Sequence, residues 1–381
     1  MEKKDFKTLC VHEGEVRDTQ FKGAISPLYM STSYAFNDVD IKQYPRYFNT
    51  PNQRGLIKKI SALEGAETGL IFSSGMAAIS TALLSNLNSG DHLIIQGDLY
   101  GGTRNFVKKE FPKYNIEFSF TKDLKIPAFE EEIKKNTKGI FIETPSNPLL
   151  KILNLKEIGL LARSNNLWTM IDNTFASPVN QNPILFGIDV IIHSATKYLG
   201  GHSDICAGVV VSRKKMIDKI FQSAKNLGGN LSDYTVWLLE RSMKTLYLRV
   251  NAQNNNALKL AEFLSSQDWI NKVYYPGLNY HPDYEIAKIQ MRGFGGMLTF
   301  DLIKDLQVKF FLNSLKVIKP SMSLAGVEST ILSPKLTSHA LLSDKEREEQ
   351  GINDQMIRFS TGIESFEDLK NDLLQAIKKS K

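Results

Sequence analysis

A lysine flanked by hydroxyl groups and glycines is the feature of the sequence most suited to chemistry. Lys197 lies in the segment Ser194-Ala195-Thr196-Lys197-Tyr198-Leu199-Gly200-Gly201, directly after the apolar run Val190–His193. An amine beside the hydroxyls of Ser194 and Thr196 suits a phosphate-bearing aldehyde, whose carbonyl can form a Schiff base with the amine. An isolated lysine in a loop is more often a solvated surface residue. The prediction therefore depends on the segments that accompany it.

A serine–glycine turn before an apolar helix predicts a place for the phosphate. The stretch Phe72-Ser73-Ser74-Gly75-Met76-Ala77-Ala78 leads from a predicted strand into a predicted helix. The first N–H groups of a helix have no acceptor within the helix, and the helix dipole favours an anion there. Such a turn is commonly just a helix cap. Gly75 and Met76 are the candidates for binding a phosphate through their N–H groups.

Two further predicted strand ends carry an acid and an aromatic ring. Asp172 closes the run Trp168–Asp172, and its carboxylate could keep a pyridine nitrogen protonated, which makes the ring an electron sink. Tyr100, in the stretch Gly97–Thr103, offers a flat face for stacking on a heterocycle. A strand-terminal aspartate is often only a turn former, and a single tyrosine is weak support. Together, however, the four strand ends suit one and the same ligand.

The elements that must position these residues are short apolar strands alternating with helices. The predicted strands are Gly69–Phe72, His92–Gln96, Ile116–Phe120, Gly139–Glu143, Trp168–Asp172, Val190–His193 and Gly208–Val211, with helices such as Met76–Leu87, Phe129–Lys135 and Lys156–Ser164 between them. Short, continuously apolar strands separated by helices are typical of a parallel sheet covered on both faces. In such sheets the ligand crevice lies beyond the carboxyl ends of the strands. We therefore predict an α/β fold with a doubly wound domain around the lysine.

The pattern divides the chain into three parts. Residues 1–50 lack regular periodicity and predict an N-terminal arm. Residues 51–248 form the predicted α/β domain, and residues 249–381 a smaller C-terminal α+β domain. The strands predicted for the last part are Lys272–Tyr275, Gly296–Leu302 and Met356–Ser360, followed by a helix from Phe366.

Composition narrows the possible classes of function. The chain has 47 basic and 41 acidic residues, and the lysines are scattered, which disfavours nucleic-acid binding. No apolar run approaches the roughly 20 residues of a membrane span, and Met1–Gly14 lacks the apolar part of a signal peptide, so we expect a cytoplasmic protein. The six histidines show no zinc-site spacing, and no metal is predicted. Cys10 and Cys206 are far apart and are expected to be reduced and buried.

Seven segments in order along the chain match a known family. They are Tyr44–Arg46, Ser74–Ala78, Tyr100–Thr103, Glu143–Pro148, Asp172–Phe175, Ser194–Asp204 and Ser323–Ser329. Together they resemble the cystathionine synthase and lyase family of fold-type I pyridoxal-phosphate enzymes, over nearly the whole chain. The resemblance implies pyridoxal 5'-phosphate as cofactor, amino acids as substrates, and a mostly parallel seven-stranded sheet in the large domain.

The resemblance also implies a role for each matching residue. Lys197 would form the Schiff base and move protons, Asp172 would pair with the pyridine nitrogen, and Tyr100 would stack on the ring and assist proton transfer. The remaining cofactor contacts would come from Gly75, Met76, Asn147, Ser194 and Thr196, and from Tyr44 and Arg46 of a neighbouring subunit. That exchange of residues implies an active dimer, and the resemblance implies that two such dimers usually form a tetramer.

Arg358 is the candidate for binding the substrate carboxylate, with Ser323 nearby. It lies in the apolar run Met356–Ser360, where a guanidinium needs a partner, and a carboxylate bound by two hydrogen bonds is the best one. A structural salt bridge is the alternative. A bound carboxylate would fix the orientation of the substrate and so control which bond breaks.

The resemblance leaves the exact reaction open. The main interpretation is a C–S lyase that cleaves cystathionine, or a related thioether, by α,β- or α,γ-elimination. The alternatives are a cystathionine γ-synthase, an O-acylhomoserine sulfhydrylase and a methionine γ-lyase. Members with γ-chemistry often carry glutamate at the position of Met322. The apolar side chain here resembles lyases more than synthases. Tyr100–Thr103 is similar to the γ-lyase and γ-synthase branch and lacks the cysteine typical of methionine γ-lyases. A non-catalytic relative is disfavoured because none of the cofactor positions is replaced.

Overall fold

A seven-stranded sheet is the largest element of the computed structural model, which describes residues 4–337, 340 and 343–380. Its strands are β1 (Thr68–Phe72), β2 (His92–Ile95), β3 (Glu117–Phe120), β4 (Thr137–Glu143), β5 (Trp168–Asp172), β6 (Val190–Ser194) and β7 (Gly208–Ser212). They lie in the order β1-β7-β6-β5-β4-β2-β3. Strand β7 runs in the direction opposite to the other six, and the pairs that do not include β7 are parallel. The prediction of a mostly parallel seven-stranded sheet is confirmed.

Helices cover both faces of this sheet. The helices of the described residues are α1 (Phe6–His12), α2 (Pro51–Glu64), α3 (Gly75–Asn86), α4 (Gly101–Glu110), α5 (Ile126–Glu130), α6 (Leu155–Ser164), α7 (Ser177–Asn180), α8 (Lys214–Leu227), α9 (Asp233–Met243), α10 (Leu246–Ser265), α11 (Tyr284–Gln290), α12 (Val308–Ser314), α13 (Asp344–Glu349) and α14 (Phe366–Ser380). Side chains from α2, α6 and α9 share one buried cluster with Ile171, whereas those from α3, α4 and α8 share another with Met170. Successive residues of β5 thus face opposite cores, as a doubly wound sheet requires.

A second, mainly antiparallel sheet of five strands is built from the C-terminal part of the chain. Its strands are β8 (Ile270–Tyr274), β9 (Met297–Leu302), β10 (Lys319–Pro320), β11 (Thr330–Leu332) and β12 (Met356–Ser360), in the order β10-β11-β12-β9-β8. Side chains of this sheet, α10, α12 and α14 form a separate apolar core. The three strands predicted in this region are present. The two very short ones, β10 and β11, were not predicted.

One predicted helix was wrong. We expected Phe129–Lys135, whereas α5 covers Ile126–Glu130. Pro127 is tolerated in the first turn because the N–H that it lacks would have no acceptor in the helix. After Glu130 the chain turns, and the Lys134 N–H donates to Thr137 Oγ1 at 2.8 Å instead of continuing the helix.

The N-terminal segment has little regular structure. Besides α1 it contains one short 3-10 helix, Pro45–Tyr47, and it exposes large apolar side chains. Phe21 is 80% exposed and Phe36 71%. The division into parts at residues 50 and 248 stays a prediction, and α10 passes through the second boundary without a break.

The two cysteines lie in different environments. Cys10 is buried, and burial raises the pKa of its thiol to about 11. Cys206 is exposed, so the expectation of two buried thiols was wrong; it lies in the loop before β7, outside the apolar cores. Among the helices of the described residues, none combines the length and apolarity needed to cross a bilayer.

The buried carboxylate of Asp372 connects α14 to the loop before β10, which gives a test of the fold. Asp372 of α14 accepts the backbone N–H groups of Lys316, Val317 and Ile318 at 2.9, 2.9 and 2.8 Å. Asp372→Asn turns an amide donor toward these donors and should lower the free energy of unfolding by about 1–3 kcal/mol. Urea unfolding measures this, with exposed Asp305→Asn as the control, expected within about 0.5 kcal/mol of the wild type. Equal stability of the two variants would contradict the prediction.

Candidate active site

Three neighbouring strand ends bring the predicted residues to one edge of the large sheet. Glu143, at the end of β4, is the register partner of Asp172, at the end of β5. Strand β6 lies on the other side of β5 and ends at Ser194. Because parallel strands end at the same edge, side chains from distant parts of the sequence converge there.

Lys197 lies in the turn that follows β6. Its Nζ donates to Ser323 Oγ at 2.7 Å, although the two residues are 126 positions apart. Burial lowers the pKa of the amine to about 8, and the positive charge of Arg358 acts in the same direction. An amine with this pKa is partly neutral near physiological pH and can act as a nucleophile or a base.

Arg358, on β12, is buried beside Lys197. Its Nη1 donates to Asn147 Oδ1 and its Nη2 to the Ser323 carbonyl oxygen, both at 3.1 Å. No carboxylate of the described residues forms a salt bridge with it, so the structural salt bridge considered from the sequence is absent from that part of the chain. Burial lowers the pKa of the guanidinium to about 10, and Glu143 and Tyr100 oppose this. A buried cation held only by neutral oxygens is suited to receive an anion.

The backbone at Ser323 is shaped for two contacts. Ser323 has φ +76°, in the left-handed region that residues other than glycine rarely adopt. In this conformation its hydroxyl reaches Lys197 while its carbonyl reaches Arg358. The same three residues therefore form one hydrogen-bonded chain, which continues to Asn147.

Asp172 is buried at the floor of the site. Its Oδ1 accepts the N–H of Thr174 at 3.0 Å, and Thr174 Oγ1 in turn accepts the N–H of Ser194 at 2.8 Å. Burial raises the pKa of Asp172, against the hydrogen bonds from Thr174. Thr174, which we did not single out in the sequence, thus connects the predicted acid to the strand that leads to Lys197.

Tyr100 and Glu143 form a second unpredicted connection. The Tyr100 N–H donates to Glu143 Oε2 at 2.9 Å, and the ring lies against Gly102, where a Cβ would be 2.4 Å from Tyr100 Cε1. Burial, and then the charge of Asp172, raises the pKa of Glu143 well above its usual value. The sequence gives one indication that Glu143 belongs to the site, which is its position at the end of a predicted strand. Pairing of that strand in register with the strand of Asp172 places the two carboxylates side by side.

The start of α3 offers a place for an anion. A Cβ on Gly75 would lie 2.8 Å from Ser194 Cβ, so only glycine allows the helix to approach β6 this closely. Ser74 accepts the Ala77 N–H at 3.1 Å, while the N–H groups of Gly75 and Met76 have no acceptor in the helix. The Thr103 hydroxyl donates a hydrogen bond to the sulfur of Met76 at 3.9 Å.

Three predicted cofactor contacts have other partners in this chain. The Thr196 hydroxyl exchanges hydrogen bonds with the backbone of Ala207, at 3.0 and 3.2 Å. Arg46 Nη1 donates to the Lys225 carbonyl at 2.6 Å, and its guanidinium lies 5.6 Å from the ring centre of Tyr44. Tyr44 and Arg46 are exposed and have no hydrogen bond to the Lys197 region in the described residues.

The residues present fit pyridoxal phosphate. The N-terminus of α3 beside Ser194 suits the phosphate, and Lys197 would supply the amine for the aldehyde. Asp172 and Glu143 lie side by side with raised pKa values, and a cationic pyridine nitrogen would offset their repulsion. Lys197, Asp172 and the anion site are thus complementary to three different parts of the cofactor.

The pKa of Lys197 gives a test in cofactor-free protein. Only the neutral amine adds to an aldehyde, so the rate of reaction with pyridoxal phosphate should rise with pH and level off above about pH 8, not above the 10.5 of an ordinary lysine. Arg358→Met removes a neighbouring positive charge and should move the midpoint to higher pH. Absorbance at roughly 420 nm follows the reaction.

The matched control for this experiment is Arg213→Met. Arg213 is exposed and follows β7 at the opposite edge of the sheet, so its loss should leave the midpoint unchanged. A rate that continues to rise through pH 10, or an equal shift in both variants, would show that the amine is not perturbed in this way.

Comparison with known proteins supports the same assignment. A model of the family described as Cys/Met metabolism PLP-dependent enzyme matches residues 7–378. The chain is 42% identical to a cystathionine beta-lyase of Lactococcus lactis, covering 98% of this chain and 99% of that protein. It is 41% identical to a cystathionine gamma-lyase of Bacillus subtilis, covering 97% and 98%. The fold matches the crystal structure of a cystathionine gamma-lyase from Lactobacillus plantarum complexed with L-serine, with a TM-score of 0.95, 37% identity and 99% of each chain covered. The chain belongs to the family of PLP-dependent enzymes of Cys/Met metabolism.

Proposed function

We propose that this protein is a C–S lyase that cleaves cystathionine, or a related thioether amino acid, by α,β- or α,γ-elimination. α,β-Elimination of cystathionine with water yields homocysteine, pyruvate and ammonia. α,γ-Elimination yields cysteine, 2-oxobutyrate and ammonia. The cystathionine lyases among its relatives, matched over almost their full length, support this substrate class.

The observation that carries the proposal is the buried Arg358 guanidinium beside the Lys197 amine. Among the described residues its hydrogen-bond partners are the neutral oxygens of Asn147 and Ser323, which leaves it suited to a substrate carboxylate. A carboxylate held there would place the α-carbon near the Lys197 amine, because Ser323 hydrogen-bonds to both Lys197 and Arg358. Amino-acid substrates are therefore favoured over substrates without a carboxylate.

The other residues would hold the cofactor. When bound, pyridoxal phosphate supplies an aldehyde for the amine and a ring that withdraws electrons from the α-carbon. Gly75 and Met76 would bind the phosphate through their N–H groups, with Ser194 and Thr196 beside them. Asp172 would keep the pyridine nitrogen protonated, and Asn147 would lie near the phenolic oxygen.

Lys197 and Tyr100 would carry the proton transfers. An amine with a pKa of about 8 can remove a proton from the α-carbon and return one to a product carbon. Tyr100, half-exposed at the mouth of the site and attached to Glu143 through its backbone, would stack on the ring and assist protonation of the leaving sulfur. Lys197 lies in the turn after β6, and Tyr100 is the residue before α4, in the loop that follows β2.

We further propose that the active unit is a dimer and that two dimers form a tetramer in the cytoplasm. Tyr44 and Arg46 are exposed here and could reach the phosphate of a neighbouring subunit. This would give the arm of residues 1–50 its function, with residues 51–248 as the cofactor-binding domain and residues 249–381 as the smaller domain.

A γ-replacement enzyme is the second candidate. Tyr100–Thr103 is similar to the γ-synthase branch, and cystathionine gamma-synthases are among the relatives. Met322 occupies the position where members with γ-chemistry often carry glutamate. Its side chain is 66% exposed and offers no charge for the distal amino group of cystathionine. This favours the lyase over the γ-synthase.

Substitution of Arg358 tests the substrate assignment. Arg358→Met should lower kcat/KM for cystathionine about 100-fold, because the substrate loses its orienting ion pair. Arg358→Lys keeps the charge without the planar pair of donors and should recover only part of the loss. Exposed Arg213→Met serves again as the control. Wild-type kcat/KM in Arg358→Met would rule out the proposed carboxylate site.

Product analysis distinguishes the reactions. Purified protein is incubated with cystathionine, and separately with O-acylhomoserine plus cysteine. Release of pyruvate or 2-oxobutyrate from cystathionine, lost in Lys197→Ala, is the expected result, and the identity of the oxo acid separates β- from γ-elimination. Formation of cystathionine in the second mixture without oxo acid in the first would identify a γ-synthase instead.

A further inference from the structure

Behind the site, on the opposite face of the same strand ends, lies a set of fully buried polar groups. It consists of Glu64, Thr144, Asn173, Gln181 and His193, which we call the polar layer. Each is at most 1% exposed. Polar groups in an apolar core are costly unless they are paired, so a layer of five calls for an explanation.

The Glu64 carboxylate is the centre of the polar layer. Its Oε1 accepts from His193 Nε2 at 2.5 Å and from Asn173 Nδ2 at 2.9 Å. Its Oε2 accepts from Asn182 Nδ2 at 3.0 Å. These donors replace the water that a buried carboxylate loses, and hydrogen bonds to an anion are the strong ones.

Gln181 extends the polar layer to a third strand end. Its Nε2 donates to Asn173 Oδ1 at 2.9 Å and to the Thr144 carbonyl at 3.1 Å. Its Oε1 accepts from Gln290 Nε2 at 2.9 Å. One hydrogen-bonded chain therefore runs across the ends of β4, β5 and β6.

Each strand end contributes one residue to the site and its neighbour to the polar layer. The pairs are Glu143–Thr144, Asp172–Asn173 and His193–Ser194. Adjacent residues of an extended strand point to opposite faces, which separates the side chains of Asp172 and Ser194 from those of Asn173 and His193. Thr144 joins the polar layer through its backbone carbonyl. A shift of any of these layer residues would therefore move the site residue attached to it.

We propose that Glu64 and His193 are positioning residues, which set the spacing of Asp172 and Ser194 from behind and so shape the cofactor site. This inference rests on the cofactor roles proposed for Asp172 and Ser194. Glu64 and His193 do not touch the reacting atoms. Burial raises the pKa of Asp172, and His193 is the member of the polar layer among the groups that oppose this rise.

The experiment compares two buried histidines of the same sheet. His193→Leu removes a donor of the polar layer. His92→Leu is the matched control, because His92 is also fully buried, with its ring nitrogens 2.8 and 3.0 Å from Thr137 Oγ1 and Ser119 Oγ, but lies at the opposite edge of the sheet. Glu64→Gln, nearly equal in size to the wild-type side chain, is the milder variant should His193→Leu not fold. The measurements are the dissociation constant of pyridoxal phosphate, the absorbance band of the bound cofactor and the melting temperature.

Both leucine variants should lower the melting temperature. Only His193→Leu and Glu64→Gln should weaken cofactor binding, by about 10-fold or more, as outer residues of metal sites do for their ligands, and should change the absorbance band. An unchanged dissociation constant and band in Glu64→Gln, or equal changes in His92→Leu, would overturn the proposal.

Asp172→Ala separates this proposal from the one on which it rests. If Asp172→Ala loses the band while Glu64→Gln keeps it, the role of Asp172 holds and the positioning role fails. If Asp172→Ala itself binds the cofactor with the wild-type band and affinity, the role of Asp172 fails, and the positioning role fails with it.

Discussion

A buried guanidinium that forms no salt bridge with the described residues is the constraint on which the site depends. Arg358 belongs to the small sheet, whereas Asn147, one of its two partners, follows β4 of the large sheet. The other partner, Ser323, carries the contact on to Lys197. A buried cation supported by neutral oxygens alone costs stability. The two sheets thus meet at a charge that an anionic substrate would compensate.

The large sheet gives this charge a rigid frame. Its central strands are buried on both faces, so their ends are fixed by packing as well as by the ladder of hydrogen bonds. Side chains at strand ends are held more accurately than side chains on long loops. The close approach of α3 to β6 requires glycine at position 75. It fixes the N-terminus of α3, the proposed site for the anion, against the same sheet.

The sequence was a good guide to the elements and to single residues. The strands of the large sheet were predictable within a residue or two because a strand buried on both faces is a continuous apolar run, and the resemblance to a pyridoxal-phosphate family is confirmed. Helix α5 was misplaced because Pro127 starts it earlier than the apolar spacing suggests.

Contacts between distant segments could not be predicted in the same way. The bond between Lys197 and Ser323 spans 126 positions, and the place of Glu143 beside Asp172 requires the strand register. Glu64 gave no signal at all, since a glutamate at the end of an amphipathic helix is ordinarily a solvated residue. Its burial follows from the packing of α2 against the sheet.

The charge of Arg358 acts on the amine of Lys197, and both side chains hydrogen-bond to Ser323. Burial and the positive charge of Arg358 both disfavour a proton on Lys197. A substrate carboxylate paired with Arg358, as proposed above, would neutralise that charge and so raise the proton affinity of the amine while a substrate proton is within reach. Arg358 would thus bind the substrate and, by doing so, make Lys197 a stronger base.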